Sequence, residues 1–247
     1  MFVKITGGIL HFSCTHGIVY YLNFMLWKES ARDHVDGLLS FNVFPTVYVS
    51  DVAGQVSRHM NNRTTQKYFH PHDGRWVENT ETNRELAKEG NLEFTPEWVK
   101  TLCSKTYQEP PQMDSDPFKT VHPITHTTER ISLYDRFHQQ NQTRDEELLR
   151  SMNICPEFRA QMNSSVAEQL NRQLASVRYS FCEMKESTFK LQARVIMEMH
   201  NRKINRAYRK DMDQRCTYDL EVGPLGTLTV GNMQGCVGKQ KIGAKNI

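Results

Sequence analysis

A chain of 247 residues is long enough to bury a real core and fits one large domain or one domain with appendages. Charged residues make up 24% and the formal net charge is only +3, so no overwhelming electrostatic field announces a nucleic-acid partner, although DNA binding is permitted. A hydrophobic share of 38% and a mean hydropathy of −0.63 argue against a densely packed enzyme and for substantial surface, loops or loose ends.

Gly7-Gly8 interrupts the chain before Ile9–Cys14, and Thr15-His16-Gly17 interrupts it before Ile18–Phe24. Two β-rich runs joined by a short Gly-containing turn predict a hairpin. Ser30 is placed to cap a helix with Val35, Leu38 and Leu39 on one side and Asp33 and Asp36 near its start. Gly37 weakens that helix without forbidding it. Pro45 opens Thr46–Ser50, whose β-branched and aromatic content suits a buried strand, with Asp51 where the strand should end. Val52–Met60 reads as a short amphipathic helix. The order strand, strand, helix, strand, helix matches strands two and three, the first helix, strand four and the second helix of the ribonuclease-H architecture. The expected fold class is therefore α/β: a truncated ribonuclease-H-like core, its first strand missing, followed by a helical region. That is an analogy of fold and not of function.

From Asn62 to Lys119 the periodicity fades, and Ser104–Phe118, rich in proline, reads as an exposed linker. After Pro156, apolar residues from Phe158 through Leu170 to Met184 recur every three or four positions, which predicts one long helix. Ser187 or Thr188 can cap a second helix with Phe189, Val195, Ile196 and Met199 inward. Beyond Cys216 the chain is Gly-rich, which predicts disorder or a weak hairpin. The expected organisation is a core at 1–103, a linker at 104–121, a mainly helical remainder at 122–210 and a Gly-rich tail at 211–247.

Six cysteines are scattered without a C-x-x-C pair and with no secretory leader before them, so they read as reduced intracellular thiols. The longest apolar run, Gly17–Trp27, contains Asn23 and falls short of the roughly 20 residues of a membrane helix, so no membrane is expected.

Asp51, at the carboxyl end of a predicted strand, could project into a cleft and hold a divalent metal. Glu168, inside the predicted long helix, could supply a second acid. Together they are two of the three carboxylates that position two metal ions in ribonuclease-H-like enzymes. The third belongs on strand one, and Met1–Thr6 contains no Asp or Glu. The competing readings are that Asp51 caps the next helix and that Glu168 is a surface acid paired with Arg172. Cys14, His16, His70, His72, His122 and His126 raise the question of zinc, but their spacing lacks the closely spaced pairs of a structural site. Arg202, Lys203, Arg206, Arg209 and Lys210 could contact phosphates or simply form a solvated helix end. Leu133–His138 mixes aromatic and charged residues in the manner of a packed corner with an ion pair.

Several phrases together resemble a known family: Cys14–Gly17 with Glu29–Asp33, Pro45–Ala53, His122–Thr125, Leu133–His138 and Asn163–Gln169. They resemble the transposase-derived region of HMG domain-containing protein 3 and its relatives, themselves similar to Kyakuja-Dileera-Zisupton transposases, over roughly Gly8 to Asn205. The resemblance implies that Asp51, in Asp51-Val52-Ala53-Gly54, matches the second acid of those transposases, with Gly54 where they carry cysteine. It implies that Glu168 matches the last acid. The first acid and an HMG box have no counterpart. The expected function is a domesticated or fragmentary transposase-derived protein, catalytically inert, nuclear, binding DNA or other nuclear proteins. No cofactor is expected, or Mg²⁺ or Mn²⁺ if the metal site survives. The alternatives are an active metal-dependent transposase completed by a further strand, and an interaction scaffold with no nucleic-acid role.

Overall fold

The computed structural model describes residues 8–25, 27–63, 65, 67–103, 120–140, 142, 144–163, 165–215, 220–222 and 228–230. The linker expected at Ser104–Phe118 and most of the Gly-rich tail lie outside the described residues. The chain forms two compact units, Met1–Met197 and Glu198–Ile247.

The first unit is a mixed α/β structure. Strands β1 (Gly8–Ser13) and β2 (Val19–Met25) form the expected antiparallel hairpin, closed by Cys14 N–H donating to the Ile18 carbonyl at 3.0 Å. Helix α1 (Ala31–Leu39) follows Ser30, whose N–H and hydroxyl both donate to the Asp33 carboxylate, at 3.0 and 2.7 Å. This satisfies the first turn from within. Val35 and Leu38 are buried, but Leu39 is exposed, because α1 offers the core a narrower stripe than its apolar residues would allow. Gly37 packs against Phe12 and Tyr21 so closely that a Cβ there would lie 2.7 and 2.8 Å from their rings.

Strand β3 (Val47–Val49) leads into helix α2 (Ala53–Asn61), as the β-branched and aromatic content of the one and the amphipathicity of the other predict. The stretch without periodicity nevertheless holds α3 (Glu81–Lys88) and α4 (Glu97–Cys103). Helix α3 buries none of its residues, so it leaves no apolar period to read. Its start is fixed by the Thr80 hydroxyl accepting from Asn83 N–H at 3.2 Å. Strand β4 (Ile131–Leu133) pairs parallel with β3, and short helices α5 (Arg136–Gln139) and α6 (Asp145–Leu148) follow.

The single long helix expected after Pro156 is three helices: α7 (Pro156–Gln161), α8 (Val166–Ala175) and α9 (Arg178–Cys182). Asn163 causes the first break, its side-chain oxygen accepting from the N–H and hydroxyl of Ser165 at 3.1 and 2.9 Å. Such local bonds compete with the helical ladder. At the second break the Ser176 hydroxyl donates to the Gln173 carbonyl at 2.7 Å. Helix α10 (Glu186–Arg215) starts before the expected caps and continues past residue 210. Its inward face differs in part: Phe189 and Ile196 are half-buried as expected and Ala193 and Met197 are buried, whereas Val195 and Met199 face outward.

Three apolar clusters hold the unit. One gathers Trp76, Leu133, Met152, Ile154 and Phe158, and a second gathers Val35, Leu38, Tyr48, Val56, Met60 and Phe69. The third seats Val19 of the hairpin on Leu170 of α8 and Met197 of α10. Each such fully buried side chain contributes roughly 1.5–3 kcal/mol. In the second unit, β5 (Leu220–Val222) and β6 (Leu228–Val230) pair antiparallel, a small hairpin within the Gly-rich tail.

Candidate functional site

A cleft of about 670 Å³ opens in the first unit beside β1 and β3, with residues of α1 and α8 also lining it. Asp51, just past β3, and Glu168, in the first turn of α8, both line this cleft and both are exposed. Asp51 is not a helix cap: the position before α2 is Val52, whose N–H instead donates to the Ser50 hydroxyl at 3.2 Å. Glu168 forms no ion pair with Arg172 among the described residues. The two acids suggested by sequence therefore reach one cavity, from elements more than a hundred residues apart.

A third carboxylate, Asp135, reaches the cleft from the end of β4. It is already engaged, accepting from the N–H groups of Phe137 and His138 at 2.9 and 3.0 Å and pairing with the His138 ring at 2.7 Å. Of the packed corner that Leu133–His138 predicts, Leu133 and Tyr134 are buried and Asp135 holds the His138 ring, whereas Phe137 is exposed. His122 also lines the cleft, its Nδ1 accepting from the N–H groups of Ile124 and Thr125. Burial, together with Arg130 and His126, lowers the His122 pKa and favours the neutral ring.

The floor of the cleft holds a chain of polar groups that sequence reasoning missed. Buried His34 joins its Nδ1 to the hydroxyl of buried Tyr48 and its Nε2 to the Glu29 carboxylate. The bond to His34 holds Glu29 below its usual carboxylate value, against the opposing effect of burial. Burial pushes the Tyr48 hydroxyl well above its usual value, so it stays protonated. No local motif announces this trio, because Tyr48 comes from a strand and His34 from a helix.

Among the described residues, no group of three or more His, Cys, Asp or Glu is placed to hold a metal ion. Asp51 and Glu168 remain as two carboxylates without a free third partner, so the donors described here do not fit a two-metal centre. Of the groups considered for zinc, Cys14 and His122 line the cleft, whereas His70 lines a separate small pocket.

Against α2 lies a buried ion cluster. Glu147 is bonded by Arg58 and, at 3.0 Å, by Arg150 Nε. Arg150 is fully buried and donates also to the carbonyls of Ser132 and Asp73, at 3.1 and 2.9 Å. Burial raises the Glu147 pKa, but Arg150, Arg58 and Arg75 outweigh it and hold it below the usual value. Burial lowers Arg150 to about 10, with Glu147 opposing. Gly54, at the position where the resemblance places cysteine, lies against the Glu147 carboxylate.

In the second unit, Arg202, Lys203, Arg206, Arg209 and Lys210 are all exposed on α10. At 3.6 residues per turn they fall within a stripe about 120° wide and about 12 Å long. Arg202 also pairs with Glu198 at 2.8 Å.

No described helix is long and apolar enough to cross a membrane. No family model and no solved structure matches the chain. Over 52 residues, 21% of this chain, it is 44% identical to HMG domain-containing protein 3 of Homo sapiens, a stretch that covers 4% of that protein's length.

Proposed function

We propose that this chain is a transposase-derived module of ribonuclease-H-like fold that binds DNA in the nucleus without cutting it. The observation that carries DNA binding is the stripe of five exposed cations on one face of α10. Duplex DNA presents about one negative charge per 1.7 Å of its axis, so a basic helix face of this length can engage several phosphates. The transposase origin rests on the phrases around Asp51 and Glu168 and on their both lining one cleft. The antiparallel hairpin and the parallel strand pair are separate two-stranded sheets among the described residues, and a ribonuclease-H-like core would join such parts into one sheet. Inertness is supported by the commitment of Asp135 to its own helix start and to His138.

The test is fluorescence anisotropy with a labelled duplex at increasing salt. Each phosphate contact contributes about −0.9 to the slope of log K against log salt. The expected result is a steep slope, flattened when Arg202, Lys203, Arg206, Arg209 and Lys210 are all replaced by Gln. No binding, or binding insensitive to salt, would favour the interaction scaffold instead.

The active-transposase reading draws on the same placement of Asp51 and Glu168 along one cleft, and it requires a further carboxylate to join them. Calorimetry with Mg²⁺ or Mn²⁺ separates the two: binding lost in both Asp51→Asn and Glu168→Gln supports a metal-dependent enzyme, and no binding supports the inert module.

A further inference from the structure

We propose that the cleft is a docking site for an extended basic peptide of a partner protein, which adds along β3 and sets lysine or arginine side chains against Asp51 and Glu168. The proposal is independent of DNA binding by α10, because it concerns the first unit only.

The first argument is the direction from which the cleft meets β3. A strand that lines a cavity with one face contributes every second residue, because successive side chains point to opposite sides. Here all three residues of β3, Val47, Tyr48 and Val49, line the cleft, as do Ser50 and Asp51 just past it, so the cavity meets this strand along its edge. That strand pairs with β4 on one side, and no other described strand pairs with it. Strand addition uses such an edge: main-chain hydrogen bonds supply affinity and pockets for alternate side chains supply choice.

The second argument is charge. Among the described residues four carboxylates, Glu29, Asp51, Asp135 and Glu168, line the cleft, and no lysine or arginine does. Glu29 and Asp135 are turned toward His34 and His138, which leaves the exposed Asp51 and Glu168 to face an incoming ligand. A phosphate backbone would be repelled from this surface, whereas a cationic side chain is matched to it. The aromatic rings of Phe12, Tyr20 and Phe41 also line the cavity, and such rings favour the apolar stems and charged heads of lysine and arginine.

The experiment uses the full chain and a fluorescein-labelled octapeptide of alternating valine and lysine. One control peptide replaces lysine with glutamate, and another carries N-methyl groups at alternate residues, which removes the donors that strand addition needs. The alternating valine–lysine peptide is expected to bind, the glutamate and N-methylated peptides to bind at least tenfold more weakly, and the amides of Val47 and Val49, which face away from β4, to gain protection from hydrogen exchange. The double variant Asp51→Asn, Glu168→Gln is expected to lose at least tenfold in affinity. The charge-keeping pair Asp51→Glu, Glu168→Asp should stay within about threefold, and circular dichroism checks that both variants fold. Failure of the valine–lysine peptide to bind, equal binding by the neutral double variant, or absence of new protection at β3 overturns the proposal. Protection of the Val47 and Val49 amides by duplex DNA alone, with no peptide present, overturns it in favour of a nucleic-acid cleft.

Discussion

A Cβ added to Gly54 would stand 2.1 Å from the Glu147 Oε2 atom. The carboxylate cannot swing aside freely, because it is buried and held by Arg58 and Arg150. Moving it would leave guanidinium groups unpaired in the interior, which is costly. We expect Gly54→Ala to destabilise the protein by about 2–4 kcal/mol, and Gly54→Cys by at least as much. Urea unfolding checks this, with the exposed neighbour Gln55→Ala as the control, expected to lie within about 0.5 kcal/mol of the parent.

Gly37 provides the milder counterpart. A Cβ there meets only the outer edges of the Phe12 and Tyr21 rings, at 2.7 and 2.8 Å. These rings stack on each other with centroids 4.9 Å apart, so they must shift together. Replacing glycine inside a helix returns up to about 1 kcal/mol of helix propensity. The net cost of Gly37→Ala is therefore expected to be about 1 kcal/mol, smaller than at Gly54. A thermal melt that ranks Gly37→Ala as the worse variant would contradict the packing described for α1.

The Glu147–Arg150 pair predicts how stability responds to acid. Glu147 has its folded pKa lowered from the ordinary 4.5. A depressed carboxylate contributes stability that is fully present above its unfolded value and is lost as the pH falls through its folded value. Urea midpoints measured from pH 6 downward should decline below about 4.5 through this linkage. Glu147→Gln should flatten that part of the decline while lowering stability at neutral pH by about 3–5 kcal/mol, because it leaves Arg150 buried without its charge partner. An unchanged acid limb in Glu147→Gln would mean that other carboxylates, such as Asp73, carry the effect. Asp73 also titrates below its usual value: burial opposes that shift, and Lys67 causes it.

Tyr48→Phe removes the hydroxyl bonded to His34 Nδ1 and leaves a ring nitrogen without its partner in the core. The expected loss is about 1–3 kcal/mol. Glu29→Gln keeps a bonded oxygen beside His34 Nε2 and should cost less. Histidine NMR signals read the difference directly: the His34 ring resonances should move strongly in Tyr48→Phe and only slightly in Glu29→Gln.

Local chemistry wrote much of the first half of this fold into the sequence. The Ile9–Cys14 and Ile18–Phe24 runs lie on either side of a Gly17 turn whose φ is +85°, so the hairpin follows from residues that touch each other along the chain. Ser30 and Asp33 fix the start of α1 within a single turn, and Val47–Val49 declares a strand by its branched and aromatic side chains. The apolar spacing after Pro156 was equally legible but misled, because periodicity reports which side of a helix is apolar and is silent on whether the ladder continues. The side chains of Asn163 and Ser176 decide that by bonding the backbone locally. Asp51 and Glu168 could be named as acids from sequence, but only packing brings them to one cleft and commits Asp135 to His138. The same holds for the Glu29–His34–Tyr48 chain and for Glu147 beneath Gly54. Sequence determined the elements whose partners are near in the chain, and tertiary structure decided every arrangement whose bonds and charges join distant segments.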